Sequence, residues 1–276
     1  MIPTNDTPWL YDGSYEGLLS CVFESFRLHV LPCLLEAGEP SQLSLTPPRV
    51  MLTDPHKAAR VQTALRHKLG QAVTEFFQSC FLTCLEDKEL YMLRFMHLAF
   101  HVGPSVLYFL SNETVATLWK SVRHLENEAH LLKGFLRFSD YPPYLIAVIH
   151  PKNFVLPLLT AHFCDRFPEE NFLIYDETHG CGLLQQKGKI RILPIDSLAL
   201  SLPSETEQKY RALWQTYYKT AAIQARHNPA CRMSHMPKRY WKYMTELGAA
   251  ALTRHESTAP ESLPPAPPRQ SPFPES

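Results

Sequence analysis

The sequence predicts an α+β protein: a mainly helical N-terminal part, then a small antiparallel β-β-α-β-β sheet unit, then C-terminal helices. Three observations carry this. Between Pro55 and Lys133 apolar residues recur with helical period through several punctuated segments. From Phe135 to Ile195 that period gives way to short runs rich in Phe, Ile, Leu and Tyr, separated by turn residues. After Ser204 helical spacing returns and continues to about Leu247. The regions are therefore a helical part over 1–134, an α+β part with basic-aromatic C-terminal helices over 135–250, and a proline-rich tail over 251–276. A single compact domain over 1–250 is the alternative reading.

Taken in order, Trp9-Leu10-Tyr11 is a short apolar piece, and Asp12-Gly13-Ser14 is a turn. A helix follows, with Leu18, Leu19, Val22, Phe23 and Phe26 on one face, and Pro32 is expected to end or kink it. Arg49–Thr53 reads as a strand. Asp54-Pro55 then opens a helix, because Asp caps well and Pro suits the first helical position. Breaks are expected near Gly70, Asp87, Gly103-Pro104 and Ser111-Asn112. The last helix carries Val115, Leu118, Trp119, Val122, Leu125, Ala129 and Leu132 as one stripe and ends at Gly134.

Phe135–Phe138 and Tyr144–His150 read as paired strands around Asp140-Tyr141-Pro142-Pro143. A helix from Asn153 to about Phe167 follows, then a strand over Phe172–Tyr175 and a hairpin turning at Lys187-Gly188. Ser204-Glu205-Thr206-Glu207 is a capping box that launches a helix to about Arg226, stopped by Asn228-Pro229. Pro237 starts a final helix. The tail after Glu256 holds seven prolines and reads as disordered.

At 45% hydrophobic and 20% charged residues the composition is that of a soluble globular protein. No signal peptide is visible, and the most apolar window, Phe95–Leu110, is too short and too interrupted to span a bilayer. Seven cysteines at irregular spacings read as reduced thiols, which places the protein in the cytoplasm. Charge is unevenly spread. The 208–245 stretch holds eight Lys or Arg and no Asp or Glu, within a chain of zero net charge, and interleaves seven Tyr or Trp.

Cations neutralise phosphates and aromatic faces stack on unpaired bases, so this pattern points to nucleic acid. An acidic protein partner and pairing with the acidic remainder of the chain stay open. The candidate nucleic-acid contacts are Lys219, Arg226, His227, Arg232, Lys238, Arg239, Tyr240 and Trp241, gathered at the turn before the last helix. Tyr210, Trp214 and Tyr217 fall on one face of the long helix, and Trp214 reads as core.

Ionisable residues near the sheet offer a second candidate. Glu128, His130, His162 and Asp176 could serve acid-base catalysis if they share a cleft, or a polar network that seats helix on sheet. No nucleophile is assigned. No metal or cofactor is expected. Cys80-x-x-x-Cys84 lacks further ligands, and His97-x-x-x-His101 lacks the metalloprotease glutamate, so the two histidines read as partly buried core. Phosphate-loop, dinucleotide, serine-elbow and zinc-deaminase motifs are absent, which disfavours those enzyme classes.

Four stretches together resemble one bacterial family: YDGSYEGLLSCVFESF (11–26), ENEAHLLKGFLRF (126–138), Ala147 through HF-x-x-RF (162–167) to Tyr175-Asp176, and residues 213–241. That family, a domain of unknown function, is associated with DNA repair or DNA metabolism. It occurs beside a radical-SAM partner or fused ahead of a uracil-DNA-glycosylase-like domain. The resemblance covers about residues 9–247. It implies a DNA-linked role; together with the basic-aromatic stretch it leads to the expectation of an accessory on single-stranded or damaged duplex DNA that works with a separate radical-SAM or glycosylase-like protein. Only about thirty residues follow Glu246, so the sequence reads as the form without a glycosylase domain. The alternatives are an enzyme acting on a nucleobase or nucleotide and a protein-docking scaffold tethered by its tail; membrane is not an expected partner.

Overall fold

The computed structural model describes residues 3–38, 46–223 and 228–247. Arg226, His227 and the proline-rich tail lie outside the described residues. The chain divides into two compact units, one ending at Glu126 and one beginning at Asn127, ahead of the Gly134 boundary read from the sequence. Among the described residues no helix is long and apolar enough to cross a membrane.

The first unit contains Thr4–Asn5 (β1), Trp9–Tyr11 (β2), helix Tyr15–Leu28 (α1), Leu31–Pro32 (β3), Leu35–Ala37 (β4) and Arg49–Val50 (β5). β1 pairs with β3, and β2 is the middle strand of a parallel sheet in the order β4-β2-β5. The three-residue apolar piece is thus the centre of a small sheet, with Trp9, Leu10 and Tyr11 all buried. The turn after it is closed by side chains. Gly13 takes φ 81, and the Asp12 carboxylate accepts from Ser14 N, Ser14 Oγ and Thr53 Oγ1. Ser14 Oγ then accepts from Gly17 N and caps α1. A Cβ at residue 17 would lie 2.2 Å from Asp12 Oδ1, which is why this first turn needs glycine. The helix stops short of Pro32 because His29 takes a left-handed conformation, φ 54, and closes it.

Helix Pro55–Ala64 (α2) begins as expected, with Asp54 Oδ1 accepting from His56 N and Lys57 N. It runs into a π turn, Leu65–Leu69, that ends at Gly70 with φ 83. Gly70–Phe81 (α3), Lys88–Val102 (α4) and Glu113–Phe135 (α5) follow, with a 3-10 turn over Pro104–Tyr108. Each break falls at a residue the sequence marks: Asp87 takes φ 53, Gly103 takes φ 86, and Asn112 Oδ1 accepts from Thr114 N. Phe77, Met92, Phe95, Met96 and Leu118 are fully buried and make the centre of this unit. The α5 stripe is buried as predicted except at Trp119. That residue is 37% exposed, its indole N–H donating to Leu107 O.

The two histidines of α4 differ. His101 is exposed, against the core reading, while His97 stacks on Phe26 at 3.9 Å and its Nε2 lies 2.9 Å from Ser25 Oγ. Burial, and secondarily His29, lowers the His97 pKa from 6.5 to about 4. The unfolded chain therefore binds a proton that the folded chain excludes. Stability from neutral His97 is complete above the ordinary value and is lost as pH falls from 6.5 toward about 4. Urea midpoints should drop between about pH 7.5 and about pH 5, and His97→Gln should flatten that drop. An unchanged drop would assign the acid sensitivity elsewhere.

The second unit is built on Ser139–Tyr141 (β6), Tyr144–Ile149 (β7), helix Leu156–Arg166 (α6), Phe172–Asp176 (β8), Cys181–Gln186 (β9) and Lys189–Pro194 (β10). The sheet order is β10-β9-β8-β7-β6. The β-β-α-β-β order stands, with two corrections. Phe135–Phe138 is not a strand: α5 continues through Phe135, and Phe138 sits edge-on to Phe163, Phe167 and Phe172 with centroids 5.2–5.7 Å away. Pairing begins only at Ser139. The sheet is also mixed, because β7 and β8 run parallel while the other pairs are antiparallel. The crossover through α6 returns the chain to the start of the next strand, and such a connection imposes parallel pairing. Helix α6 starts at Leu156, later than Asn153, and buries Leu156, Leu159 and Phe163.

Glu205–Ala221 (α7), Pro229–His235 (α8) and a 3-10 helix over Lys238–Tyr243 complete the described chain. Two expectations change here. Helix α7 ends at Ala221, short of Arg226, so Asn228-Pro229 does not stop it and instead starts a helix, Asn228 Oδ1 accepting from Cys231 N. Pro237 opens a tight 3-10 turn of six residues, where a longer helix was expected.

Candidate nucleic-acid interface

Helix α7 is fixed at its N-terminus and open along its length. Ser204 Oγ accepts from Glu207 N at 3.1 Å, the first half of the expected capping box. The second half is replaced by a tertiary bond. The Glu207 carboxylate accepts from Asp140 N at 3.2 Å and Arg211 Nε at 2.7 Å, and Arg211 donates onward to Ser139 Oγ. The first turn of α7 is thereby pinned to the start of β6.

Beyond Glu207 the helix presents an apolar and aromatic row to solvent. Tyr210, Leu213, Trp214 and Tyr217 recur at helical spacing and are 66%, 64%, 39% and 61% exposed. This corrects the reading of Trp214 as core. The Trp214 and Tyr217 rings lie 5.5 Å apart and 27° from parallel. Trp214 is held from behind by the end of the described chain: its Nε1 donates to Glu246 Oε2 at 3.0 Å, and the Arg137 guanidinium lies 5.8 Å from its ring. Arg137 also donates to Glu246 Oε1 at 2.6 Å, and Gln215 Nε2 donates to Thr245 O. Burial opposes the Glu246 charge, but the bonds from Arg137, the backbone and Trp214 outweigh it and hold the carboxyl below its ordinary value.

The 3-10 helix is occupied with folding contacts. Arg239 pairs with Glu128 Oε1 at 3.0 Å, Lys242 Nζ reaches Glu177 Oε2 at 3.2 Å, and Tyr243 donates to the same carboxylate. His150 Nδ1 lies 3.5 Å from it. Burial works against Glu177 ionisation, while Tyr243, Lys242 and His150 lower its pKa on balance. Tyr240 is buried, its ring 5.6 Å from Phe135, and burial followed by the Glu128 charge raises its pKa. Trp241 is half-buried, with Nε1 donating to Met236 O and the Arg232 guanidinium 5.0 Å from its ring. Of the sequence candidates, Lys219 and Lys238 are the exposed lysines, and Arg232 is half-buried.

The four ionisable candidates are placed unequally. Glu128 is 1% exposed and accepts from Lys152 N, Asn153 N and Asn153 Nδ2 at 2.6–3.2 Å. Asp176 is fully buried at the end of β8 and accepts from Thr178 N, His179 N and His179 Nδ1, the last at 2.6 Å. His130 and His162 are exposed on α5 and α6. Glu128 thus ties the loop before α6 to α5, and Asp176 ties the end of β8 to the turn that follows it.

The sequence names Tyr210 and Tyr217 as part of one helix face without marking that face as exposed, and it does not single out Leu213. Their only signal was a helical aromatic row within an acid-free stretch, and such a row usually faces inward.

The molecule is therefore an α+β protein whose second unit carries an exposed aromatic helix on a mixed five-stranded sheet. A family profile for the domain of unknown function DUF4130 matches residues 86–246, more than half of the chain, and the chain belongs to that family. Comparison with curated proteins and with solved structures found no match.

Proposed function

We propose that this chain binds single-stranded nucleic acid, DNA in the first instance, along the exposed face of α7. The single observation behind this reading is the solvent-facing row Tyr210, Trp214 and Tyr217 in a stretch with no carboxylate between Glu207 and Glu246. Stacking on such faces contributes roughly 1–3 kcal/mol per base and tolerates any sequence. Lys209, Lys219 and Lys238 are exposed in the same segment and supply the phosphate term. The biological role consistent with this surface is that of a DNA-repair or DNA-modification accessory. It would present a strand, or the unpaired part of a damaged duplex, to a separate radical-SAM or uracil-DNA-glycosylase-like protein.

Labelled single-stranded and duplex oligonucleotides, titrated at two salt concentrations, test this. The expected result is preference for the single strand and weaker binding at higher salt. Each lost phosphate contact should reduce the slope of log K against log salt by about 0.7. Lys219→Glu with Lys238→Glu should therefore reduce it by about 1.4. Salt-independent binding, or none, would overturn the reading. Arg239 is unsuited to this test, because a glutamate there would face the buried Glu128 carboxylate.

A further inference from the structure

The first unit holds a groove that the α7 surface does not use. It is an open groove of about 250 Å³ between α1, α2, the π turn and α4. Val22, Phe23 and Phe26 of α1 line it, with Val61 and Ala64 of α2 and Phe100 of α4. Two cations complete the lining. The Arg60 guanidinium lies 5.0 Å from the Phe23 ring centre, and Lys68 Nζ lies 6.0 Å from that of Phe100. Both are exposed, and neither forms an ion pair among the described residues. Lys57, which also approaches Phe23, is neutralised by Glu24 at 3.0 Å. His97, stacked against Phe26, is neutral above about pH 4 and adds no charge. Lys68 lies in the π turn and lines the groove.

Among the described residues the lining contains no carboxylate, hydroxyl or amide side chain. Its only polar side chains are the two cationic donors, and nothing in it repels an anion. It matches a ligand with a featureless apolar body and one negative head. At about 30 Å³ per water-sized unit, the space suits a chain of about eight methylene-sized groups.

We propose that this groove binds a medium-chain aliphatic carboxylate. The chain lies against Val22, Phe26, Val61, Ala64 and Phe100, and the carboxylate sits between Arg60 and Lys68. The site is independent of the nucleic-acid reading, since none of its residues belongs to the second unit.

Calorimetric titration of the full chain with hexanoate, octanoate and decanoate, below their micelle concentrations, tests the proposal. Decylamine serves as the opposite-charge control. The expected result is saturable binding that tightens by up to about fourfold per added methylene until the chain outgrows the groove. Arg60→Gln with Lys68→Gln should weaken decanoate by about tenfold, as loss of charge-assisted contacts predicts. Decylamine should not bind. Ala64→Trp should fill the groove and abolish binding, with circular dichroism confirming the fold. Because Arg60 and Lys68 are exposed, their double variant decides the matter even if the tryptophan variant does not fold. Absence of saturable decanoate binding, decylamine binding equally tightly, or undiminished binding by the Gln variant would each overturn the proposal.

Discussion

Glu128→Ala is expected to destabilise the second unit by about 3–5 kcal/mol, because several buried donors lose one shared acceptor at about 1–3 kcal/mol each. The carboxylate is 1% exposed, and its bonds converge from three places. Lys152 N and Asn153 N fix the loop between β7 and α6, Asn153 Nδ2 fixes the side chain beside it, and Arg239 fixes the 3-10 helix. Alanine leaves all of these donors without their acceptor, at about 1–3 kcal/mol for each that stays buried. Arg239→Ala should cost less, because the carboxylate keeps its three N–H donors from Lys152 and Asn153. Urea denaturation gives the sizes, and hydrogen exchange gives the place. Exchange should quicken through β7, β8 and the residues after β7 more than through α3. A Glu128→Ala protein with wild-type stability would show that the buried carboxylate is held at no energetic benefit, and would return it to the list of functional groups.

Asp176→Ala should cost about 2–4 kcal/mol, from two backbone amides and one imidazole losing a buried acceptor. The side chain ends β8 and closes the turn into β9 by accepting from Thr178 N and His179 N. His179 in turn stands edge-on to Phe154 at 5.4 Å, so the aspartate orients a ring that packs against the loop before α6. Asp176→Asn retains one acceptor for the amides and should recover about half of the loss, as an Asn side chain can still make this turn. Thermal denaturation of the two variants separates these outcomes. Equal loss in both would mean that the charge, rather than the turn geometry, matters.

These two carboxylates show where the sequence could be read and where it could not. Asp54-Pro55 is a local signal, since cap and first turn lie within three residues, and the structure follows it. The same holds for Ser204, whose hydroxyl finds Glu207 N three residues on. Glu207 itself abandons the local bond for Asp140, 67 residues away, and no spacing rule reaches that far. Glu128 likewise finds its donors in a loop 24 and 25 residues later. The strand at Phe135–Phe138 was misplaced for a related reason: an aromatic run suits a strand or an aromatic cluster equally, and only the neighbouring Phe163, Phe167 and Phe172 decide. Parallel pairing of β7 and β8 could have been read from the intervening helix, which makes a crossover necessary.

The basic-aromatic stretch was legible as a charge pattern but not as a surface. Its composition located the segment. The structure then divided it differently from the sequence: the corner at Arg239–Tyr243 folds inward onto Glu128 and Glu177, while α7 faces outward. A row at i, i+3, i+4 and i+7 has the same spacing whether it meets a core or a ligand, so exposure had to come from the fold.

The most direct measurement of the central claim is single-stranded DNA affinity of Tyr210→Ala/Tyr217→Ala against wild type. Both rings are more than half exposed, so the double variant should fold normally. Loss of two stacking faces at roughly 1–3 kcal/mol each predicts binding weakened by at least about thirtyfold, with the salt slope unchanged. Wild-type affinity in the double variant would contradict the account.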